Sequence, residues 1–334
     1  MSKNNNKKIK PKKSIKSKKL IITLSIIGLL IVGLVGGVAT YGLTMLNKVN
    51  KVDLNEANLG IDKDIDSKLS QYDGITNIAL FGIDAPEGTA GRSDAIMIAT
   101  IDKIHNKLKL TSIMRDSYVN IQDHGEDKLN HAYAFGGHEL ALKTLNENFN
   151  LNLKDFATVN FSSLPKIIDS VGGINLNIRQ DELQYINNYI ADLNNLNKTS
   201  ESNITSPGTQ HVNGTQALAY CRIRYTAGGD GERTERQRTV LTKLFEKFSE
   251  VSPTKYPSIL NDIMPMITTS LSSSDILSLA KSIPSVSSSG LEQERFPRDD
   301  YSKGELIKGV YYLTFNKENT VEQIKNYIFN DIKN

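Results

Sequence analysis

The fold is decided by three apolar runs that follow one another closely: ITNIALF at residues 75–81, AIMIATI at 95–101 and KLKLTSIM at 107–114. Each run is short and is followed by a turn or by polar residues, which is typical of β-strands. In the third run Leu108 and Leu110 alternate with Lys107 and Lys109, which predicts a strand with its leucines on one face and its lysines on the other.

Further strands and helices alternate after these runs. The predicted strands are Ala157–Phe161, 174–178 and Gly309–Phe315, and the predicted helices are Asn130–Phe149, Ser163–Ser170, Glu232–Phe248 and Thr320–Phe329, with two or three more in 255–284. Gly214–Tyr225 is interpreted as a helical turn followed by a strand, and the Asn- and Ser-rich stretch 180–209 as a loop or insertion. The order predicts one α/β (α+β) domain, residues 74–334, with a central mixed sheet flanked by helices.

The first 73 residues predict a membrane anchor. Residues 1–19 hold nine Lys and no acidic residue, and residues 20–47 carry no charge. A run of about 20 apolar residues spans a bilayer as a helix, and the basic tail before it should stay in the cytoplasm. The domain would then lie outside the membrane of a Gram-positive bacterium, after a polar stalk at 48–73. A cleaved signal peptide is the competing interpretation.

Charge and cysteine content exclude several classes of function. The net charge of +3 includes the basic tail, and the remaining 31 basic and 37 acidic residues give −6. Because the part of the chain after the tail is acidic, a nucleic-acid partner is not expected. The single cysteine, Cys221, excludes an internal disulfide and a cysteine-cluster zinc site. We expect it to pack in the core.

Acidic and basic side chains gather at the ends of the predicted strands. Asp84 follows the first strand, Arg92 and Asp94 begin the second, and Arg115–Asp116 ends the third. Further along, Lys128 precedes a helix, a predicted strand presents Arg222 and Arg224 on one face, and Arg233 and Gln237 lie on a helix. Arginine suits phosphate oxygens because its donors form a planar fork.

The carboxylates among these cations allow two interpretations. Asp84 and Asp94 are able to hold Mg²⁺, which prefers a few carboxylates together with water and phosphate oxygens. The alternative is that they form ordinary salt bridges with the arginines. Spacing alone leaves both open.

A series of motifs in one order resembles the LytR–CpsA–Psr family over residues 74–248. They are FGID at 81–84, GRSD at 91–94, SIMRD at 112–116, DKLNHAY at 127–133, VGGI at 171–174, NGTQALAY at 213–220, RIR at 222–224 and GDGERTERQ at 229–237. Met114 departs from the proline that the family usually has there. No motif is matched in 180–209.

The resemblance implies an external, membrane-anchored phosphotransferase, a cell wall glycopolymer ligase. Such an enzyme takes an anionic glycopolymer, for example teichoic acid, from a polyprenyl-diphosphate carrier and joins it with its phosphate to a sugar hydroxyl of peptidoglycan. It implies Asp84 and Asp94 as ligands of the cofactor Mg²⁺, and Arg115, Asp116 and Asp230 as catalytic residues. The implied diphosphate-binding residues are Arg92, Arg115, Lys128, Arg222, Arg224, Arg233 and Gln237.

Several points remain open from the sequence. Either Asp116 or Asp230 is a candidate for accepting the hydroxyl proton. An apolar channel for the lipid is expected, and its candidate lining residues are Leu140, Leu142, Leu145, Phe149 and Val159, although core packing explains each of them as well. Two alternative functions are a polyprenyl-diphosphate hydrolase and a non-catalytic regulator of the cell envelope.

Overall fold

Strands form the centre of the computed structural model, which describes residues 46–84, 91–160, 162–226, 229–286 and 291–333. The strands of this described part are β1 (Asn50–Lys51), β2 (Ile75–Asp84), β3 (Arg92–Asp102), β4 (Lys107–Ile113), β5 (Tyr118–Ile121), β6 (Gly125–Lys128), β7 (Asp155–Asn160), β8 (Ile174–Ile178), β9 (Gly208–Val212), β10 (Ile267–Thr269), β11 (Leu291–Phe296), β12 (Ser302–Ile307) and β13 (Val310–Phe315).

Helices pack around these strands. The α-helices of the described part are α1 (Lys63–Leu69), α2 (His131–Phe149), α3 (Leu164–Ser170), α4 (Leu183–Asn197), α5 (Gly214–Arg222), α6 (Gly229–Glu250), α7 (Tyr256–Ile263), α8 (Ser273–Val286) and α9 (Lys317–Phe329). Helix α2 contains a kink at Gly136 and Gly137, and Gly137 has a φ of 63° that disfavours side chains with a Cβ.

Seven strands form one mixed sheet in the order β1-β10-β7-β2-β3-β4-β11. Strand β2 pairs parallel with β7 and antiparallel with β3, and β3 continues antiparallel into β4. Three two-stranded sheets, β5-β6, β8-β9 and β12-β13, lie outside it. The prediction of an α/β domain with a central mixed sheet flanked by helices is confirmed.

Both faces of the central sheet are covered, and β2 shows how. Ile78 and Leu80 point into a core shared with α3 to α8, whereas Ala79, Phe81 and Ile83 point into a second core shared with α1, α2 and α9. Because successive residues of a strand point to opposite faces, a strand with helices on both sides is apolar at nearly every position.

Burial on both faces also places a lysine of β4 in the core. Leu108 and Leu110 share one face, as the alternation predicts, and Lys109 on the other face is fully buried. Its Nζ lies 2.8 Å from Asp102 Oδ2 and donates to the carbonyl oxygens of Tyr327 and Ile328. Paired in this way, a lysine is tolerated in a core.

The prediction that the stretch 180–209 is a loop is wrong. The stretch contains a short 3₁₀ helix at Gln180–Glu182, helix α4 and the start of β9. Ile186, Ile190 and Leu193 of α4 are buried in the core of the same face as α6. Their spacing of four and three residues is helical, and the asparagines between them obscure it in the sequence.

The second half of Gly214–Tyr225 is not a strand either. Asn213 Oδ1 accepts a hydrogen bond from the Gln216 backbone N–H at 2.9 Å, and Gln216 Oε1 accepts one from the Asn213 N–H. This capping box starts helix α5, which continues to Arg222. The alternation of Arg222 with Ile223 and Arg224 therefore does not reflect a strand.

The segment expected to be a polar stalk is folded against the domain. Within it, β1 pairs parallel with β10, and Leu59 and Leu69 are buried. Leu46, near the end of the predicted membrane span, is buried as well. Residues 1–45, with most of that span, lie outside the described residues. None of the described helices is both long and apolar enough to cross a bilayer.

Candidate functional site

Asp94 stands where the pairing of β2 with β3 changes register. Gly82 pairs with Ala95 and Ile83 pairs with Ser93, so Asp94 has no partner across the ladder. Such a β-bulge inserts one residue and redirects a side chain, often next to an active site. Asp94 is only 7 % exposed, so its carboxylate needs charged or hydrogen-bonding neighbours.

Three arginines from separate parts of the chain supply those neighbours. Arg115 Nη1, just after β4, lies 2.8 Å from Asp94 Oδ1, and Arg233 Nη2 of α6 lies 2.9 Å from Oδ2. Arg224 Nη2, beyond the end of α5, approaches Oδ2 at 3.6 Å. Asn130 Nδ2 also donates to Oδ1, at 3.2 Å. We call Asp94, Arg115, Arg224 and Arg233 the arginine cluster.

The protonation state of Asp94 follows from these contacts. Burial by itself would raise the pKa of this carboxyl group, but the Arg115 and Arg233 guanidinium groups outweigh burial and hold the pKa below its ordinary value. Asp94 is therefore ionised at neutral pH.

A second pair lies beside the arginine cluster. Lys128 Nζ is 2.7 Å from Asp116 Oδ1, and Arg115 Nε is 3.5 Å from Asp116 Oδ2, so Arg115 touches both carboxylates. His131 supports this part from the adjacent helix, because its Nδ1 lies 2.7 Å from Asp127 Oδ2. This contact gives His131 a structural role.

Two tyrosines of β13 complete the surroundings of Lys128, and the sequence analysis did not identify them. The Lys128 Nζ lies 5.8 Å from the ring centroids of Tyr311 and Tyr312. Tyr312 Oη donates to Asp127 Oδ1 at 3.2 Å. In the sequence the two tyrosines are adjacent residues of a terminal strand that is far from every motif. They lie here because Leu313 of β13 pairs with Ser117, just before β5.

Cations are concentrated in this region. Four of them, Arg115, Arg224, Arg233 and Lys128, lie within 4 Å of one of two buried carboxylates, Asp94 and Asp116. Such a concentration of cations at a partly buried position favours an anionic ligand, because the local field is little screened by salt.

An apolar cavity begins next to the arginine cluster. It lies between the central strands and helix α6, and its lining residues are Leu80, Phe81, Gly82, Ala95, Met97, Val159, Leu164, Cys221, Gln237, Val240 and Leu241. Ala95 directly follows Asp94, and Gln237 lies one helical turn after Arg233, so the cavity and the cluster share two elements. The Gln237 Nε2 is buried and donates to no atom of the described residues.

Most of the residues expected to line a lipid channel are elsewhere. Of the five, Val159 lines the cavity, whereas Leu142, Leu145 and Phe149 are buried in the core on the other face of the sheet. Leu140 packs against that second core. The helical spacing of apolar residues in α2 does not reveal which face of the sheet the helix covers. Helix α2 covers the face opposite the cavity, so its residues do not line it.

The remaining predicted site residues are distributed as follows. Arg92 is exposed and forms no ion pair with the residues that the structure describes, whereas Arg222, at the end of α5, is half-buried and has a partner. The side chains of Asp84 and Asp230 lie outside the described residues. Cys221 is buried, and burial raises its pKa to about 12, so it is a packed thiol and not a nucleophile.

The residues expected to hold Mg²⁺ fit a metal ion in donor type. The backbone of Asp84 pairs with Arg92, so Asp84 and Asp94 lie at the same end of β2 and β3. Mg²⁺ prefers carboxylate oxygens as ligands. The two carboxylate oxygens of Asp94 also contact arginines. Among the side chains that the structure describes, no three His, Cys, Asp or Glu residues group as a metal site would require.

Comparisons with known proteins identify the family of this chain. The model of the LytR_cpsA_psr family matches residues 42–328. The polyisoprenyl-teichoic acid–peptidoglycan teichoic acid transferase TagU of Bacillus cereus is 29 % identical over 321 residues, which cover 94 % of this chain and 98 % of TagU.

Solved structures give the same result. TagT bound to LIIa-WTA is similar with a TM-score of 0.62 at 28 % identity, covering 77 % of this chain and 91 % of TagT. TagT with bound octaprenyl pyrophosphate lipid is similar with a TM-score of 0.58 at 26 % identity, covering 78 % and 91 %. Because the family match extends over most of its length, this chain belongs to the LytR–CpsA–Psr family.

Proposed function

We propose that this protein transfers a phosphate-linked glycopolymer of the teichoic acid class from a polyprenyl-diphosphate carrier to a sugar hydroxyl of peptidoglycan. The observation that carries the proposal is that a cation-rich cluster and an apolar cavity share strand β3 and helix α6, with Ala95 of the cavity next to Asp94 and Gln237 one turn after Arg233. A polyprenyl diphosphate has the complementary structure, a multiply charged head joined to a hydrocarbon tail.

The head group is expected to bind where the cations are concentrated. Arg115, Arg224, Arg233 and Lys128 are the described candidates, and Arg92 and Arg222 are proposed to join them when the substrate is bound. Guanidinium groups suit this role because they remain charged when partly buried and bind phosphate oxygens with two parallel donors.

The tail is expected to enter the cavity between the sheet and α6. Its walls are almost entirely apolar, apart from Gln237. The buried Gln237 Nε2 has no acceptor within the described residues, and buried donors normally have one. We propose that a substrate oxygen at the junction of head and tail supplies it. The structure of TagT with bound octaprenyl pyrophosphate lipid supports a ligand of this chemical class.

The chemistry follows from the charge of the diphosphate. The oxygen of the acceptor hydroxyl forms a bond to the phosphorus that carries the polymer, the bond from that phosphorus to the bridging oxygen breaks, and polyprenyl phosphate leaves. Negative charge moves to the leaving oxygen, so arginines beside it lower the barrier. One well-placed donor contributes about 2.7–4 kcal/mol in such sites.

The hydroxyl proton needs an acceptor, and Asp116 and Asp230 are the proposed candidates. The Asp116 carboxylate is fixed between Lys128 and Arg115, so its orientation toward a bound acceptor is set in advance. Mg²⁺ held by Asp84 and Asp94, when bound, would neutralise further diphosphate charge. The proposed location is the outer face of the cell membrane, where residues 20–47 would anchor the domain near its lipid substrate.

The proposal is tested with the full-length protein in lipid nanodiscs, given a polyprenyl-diphosphate-linked glycopolymer, Mg²⁺ and peptidoglycan. We expect polymer covalently attached to peptidoglycan, together with one polyprenyl phosphate for each attachment. A parallel reaction with a chelator in place of Mg²⁺ measures metal dependence.

The two alternative functions give different products in the same reaction. Free phosphorylated polymer without conjugate would identify a hydrolase, because water would have replaced the sugar hydroxyl. An unchanged substrate with every acceptor supplied would contradict both enzymes and favour a regulator.

A further inference from the structure

The stretch 180–209 supplies one half of a buried ion pair near the arginine cluster. Glu182 Oε1 accepts a hydrogen bond from Arg236 Nε at 2.7 Å, and the two side chains are 1 % and 3 % exposed. Glu182 Oε2 accepts from the backbone N–H of Arg179 at 2.8 Å. Both carboxylate oxygens are therefore fixed before any substrate binds.

Arg236 distributes its other donors over the segment that follows α5. Its Nη1 donates to the carbonyl oxygen of Ile223 at 3.2 Å, and its Nη2 donates to Thr226 Oγ1 at 2.7 Å. Ile223 and Thr226 lie on either side of Arg224 in the chain. One guanidinium group thus anchors both ends of the short segment from which Arg224 reaches Asp94.

The same network fixes the helix that carries Arg233. Glu232 Oε2 accepts from Arg236 Nη2 at 2.6 Å, from Thr226 Oγ1 at 2.5 Å and from Arg179 Nη2 at 2.8 Å. Arg233 is the next residue along α6. The relative placement of Arg224 and Arg233 is therefore determined by contacts that converge on Arg236.

Net stability is an insufficient reason for such a pair. A buried ion pair is often no more stabilising than apolar side chains of the same volume, because both charges lose their water. What the pair provides is geometry, since the planar guanidinium group holds its acceptors in fixed directions.

We propose that Glu182 and Arg236 are positioning residues that set the loop 223–226, and with it Arg224, against the bound diphosphate. This inference rests on the proposed function and gives stretch 180–209 a role in it. Neither residue touches the substrate, so both act through Arg224 and Arg233.

The expected kinetic effect lies in kcat. The lipid tail is held by the cavity, so KM for the lipid should change less than threefold. Misplacement of a charged group by about 1 Å can reduce a rate about 100-fold. For Glu182→Gln and Arg236→Lys we expect kcat to fall between about 10-fold and 100-fold, with the lysine variant the poorer because an ammonium group is a point charge that lacks the fixed planar fork.

A third variant tests the loop without disturbing the core. Thr226→Val removes the two hydrogen bonds that the Thr226 hydroxyl makes with Arg236 and Glu232, and it leaves the Glu182–Arg236 pair in place. Because Arg236 still holds the Ile223 carbonyl, kcat should fall by a smaller factor, about threefold to tenfold. The matched control is Asp102→Asn, because Asp102 and Lys109 form another fully buried pair. It should lower the melting temperature and leave kcat unchanged.

Full-length wild type and variants are compared well below their melting temperatures, with transfer and binding of octaprenyl diphosphate both measured. A kcat within twofold of wild type in Glu182→Gln and Thr226→Val would overturn the inference, as would an equal loss in Asp102→Asn. Wild type that neither binds octaprenyl diphosphate nor transfers polymer would instead overturn the proposed function, so the two failures are distinguishable.

Discussion

Strand β3 carries a charge cluster at each end, and the two clusters differ in composition. Near its start, Asp94 and Asp116 face three arginines and Lys128. At its end, Asp102, Asp331 and Glu292 pair with three lysines, Lys107, Lys109 and Lys333. We call the latter group the lysine cluster.

The comparison teaches how to separate a binding site from a structural contact. The three donors of the Lys109 ammonium group all have acceptors. They are Asp102 Oδ2 and the carbonyl oxygens of Tyr327 and Ile328 at the end of α9. The arginine cluster brings three guanidinium groups to one carboxylate, and it shares strand β3 and helix α6 with an apolar cavity. The concentration of guanidinium groups beside a cavity is the difference that indicates a ligand.

The variant with the largest expected effect on the arginine cluster is Arg115→Ala. Arg115 contacts both Asp94 and Asp116, so its loss should lower transfer about 100-fold to 1,000-fold, the usual effect of removing one charge-stabilising donor. Transfer of polymer to peptidoglycan by the full-length variant is the measurement. Lys154→Ala, which removes an exposed pair with Asp66, is the control and should retain wild-type activity. Equal activity of the two variants would contradict the assignment.

The lysine cluster should respond in the opposite way. Lys109→Met leaves the Asp102 carboxylate buried without its main cation, which costs about 3–5 kcal/mol of unfolding free energy. The melting temperature should fall by roughly 10 °C, while kcat of the folded enzyme stays within twofold. Urea unfolding and the transfer assay at low temperature measure the two quantities. A stable variant with reduced kcat would show that this cluster also serves the reaction.

The cavity beside the arginine cluster gives a smaller effect. Leu241→Phe places a larger side chain on its wall and should raise KM for long polyprenyl carriers about fivefold, which corresponds to about 1 kcal/mol, with little change for short carriers. Leu279, a half-buried leucine of the same core that does not line the cavity, provides the control Leu279→Phe. The same length dependence in both variants would argue against tail binding here.

The contribution of Asp94 to the free energy of unfolding should depend on pH. Its pKa in the folded protein is below the ordinary 3.8, so the unfolded chain takes up the proton first as pH falls. The contribution of Asp94 is present above about 3.8 and is lost as pH drops through the folded value. The unfolding free energies of wild type and Asp94→Asn, measured in urea from pH 7 to pH 3, should therefore converge toward the acid end. A constant difference would show that Asp94 is not ionised in the fold.

Much of the sheet and its motifs could be predicted from local patterns. The three apolar runs at 75–114 became β2, β3 and β4, because a strand buried on one or both faces must be apolar over several residues. Lys109 and helix α4 could not be predicted equally well. A lysine in a core depends on Asp102 and the end of α9, and the asparagines of α4 dilute its apolar stripe.

The candidate site divides in the same way. That Asp94, Arg115 and Arg233 occur in shared motifs was visible in the sequence, and their roles stay proposals. The alternation of Arg222, Ile223 and Arg224 predicts a strand, but the capping box at Asn213 starts a helix that continues to Arg222. The pairing of Glu182 with Arg236 could not be predicted from local patterns, because the two residues are 54 positions apart in the chain.

By itself, the sequence determined the apolar periodicities, the resemblance to a family and the identity of the cationic residues, since these depend on neighbours within a few positions. Only the tertiary structure decided that a bulge frees Asp94, that three arginines reach it and that the cavity lies under α6 and not under α2. Those outcomes depend on strand register and on which face of the sheet each helix covers. Both are fixed by contacts between residues far apart in the chain.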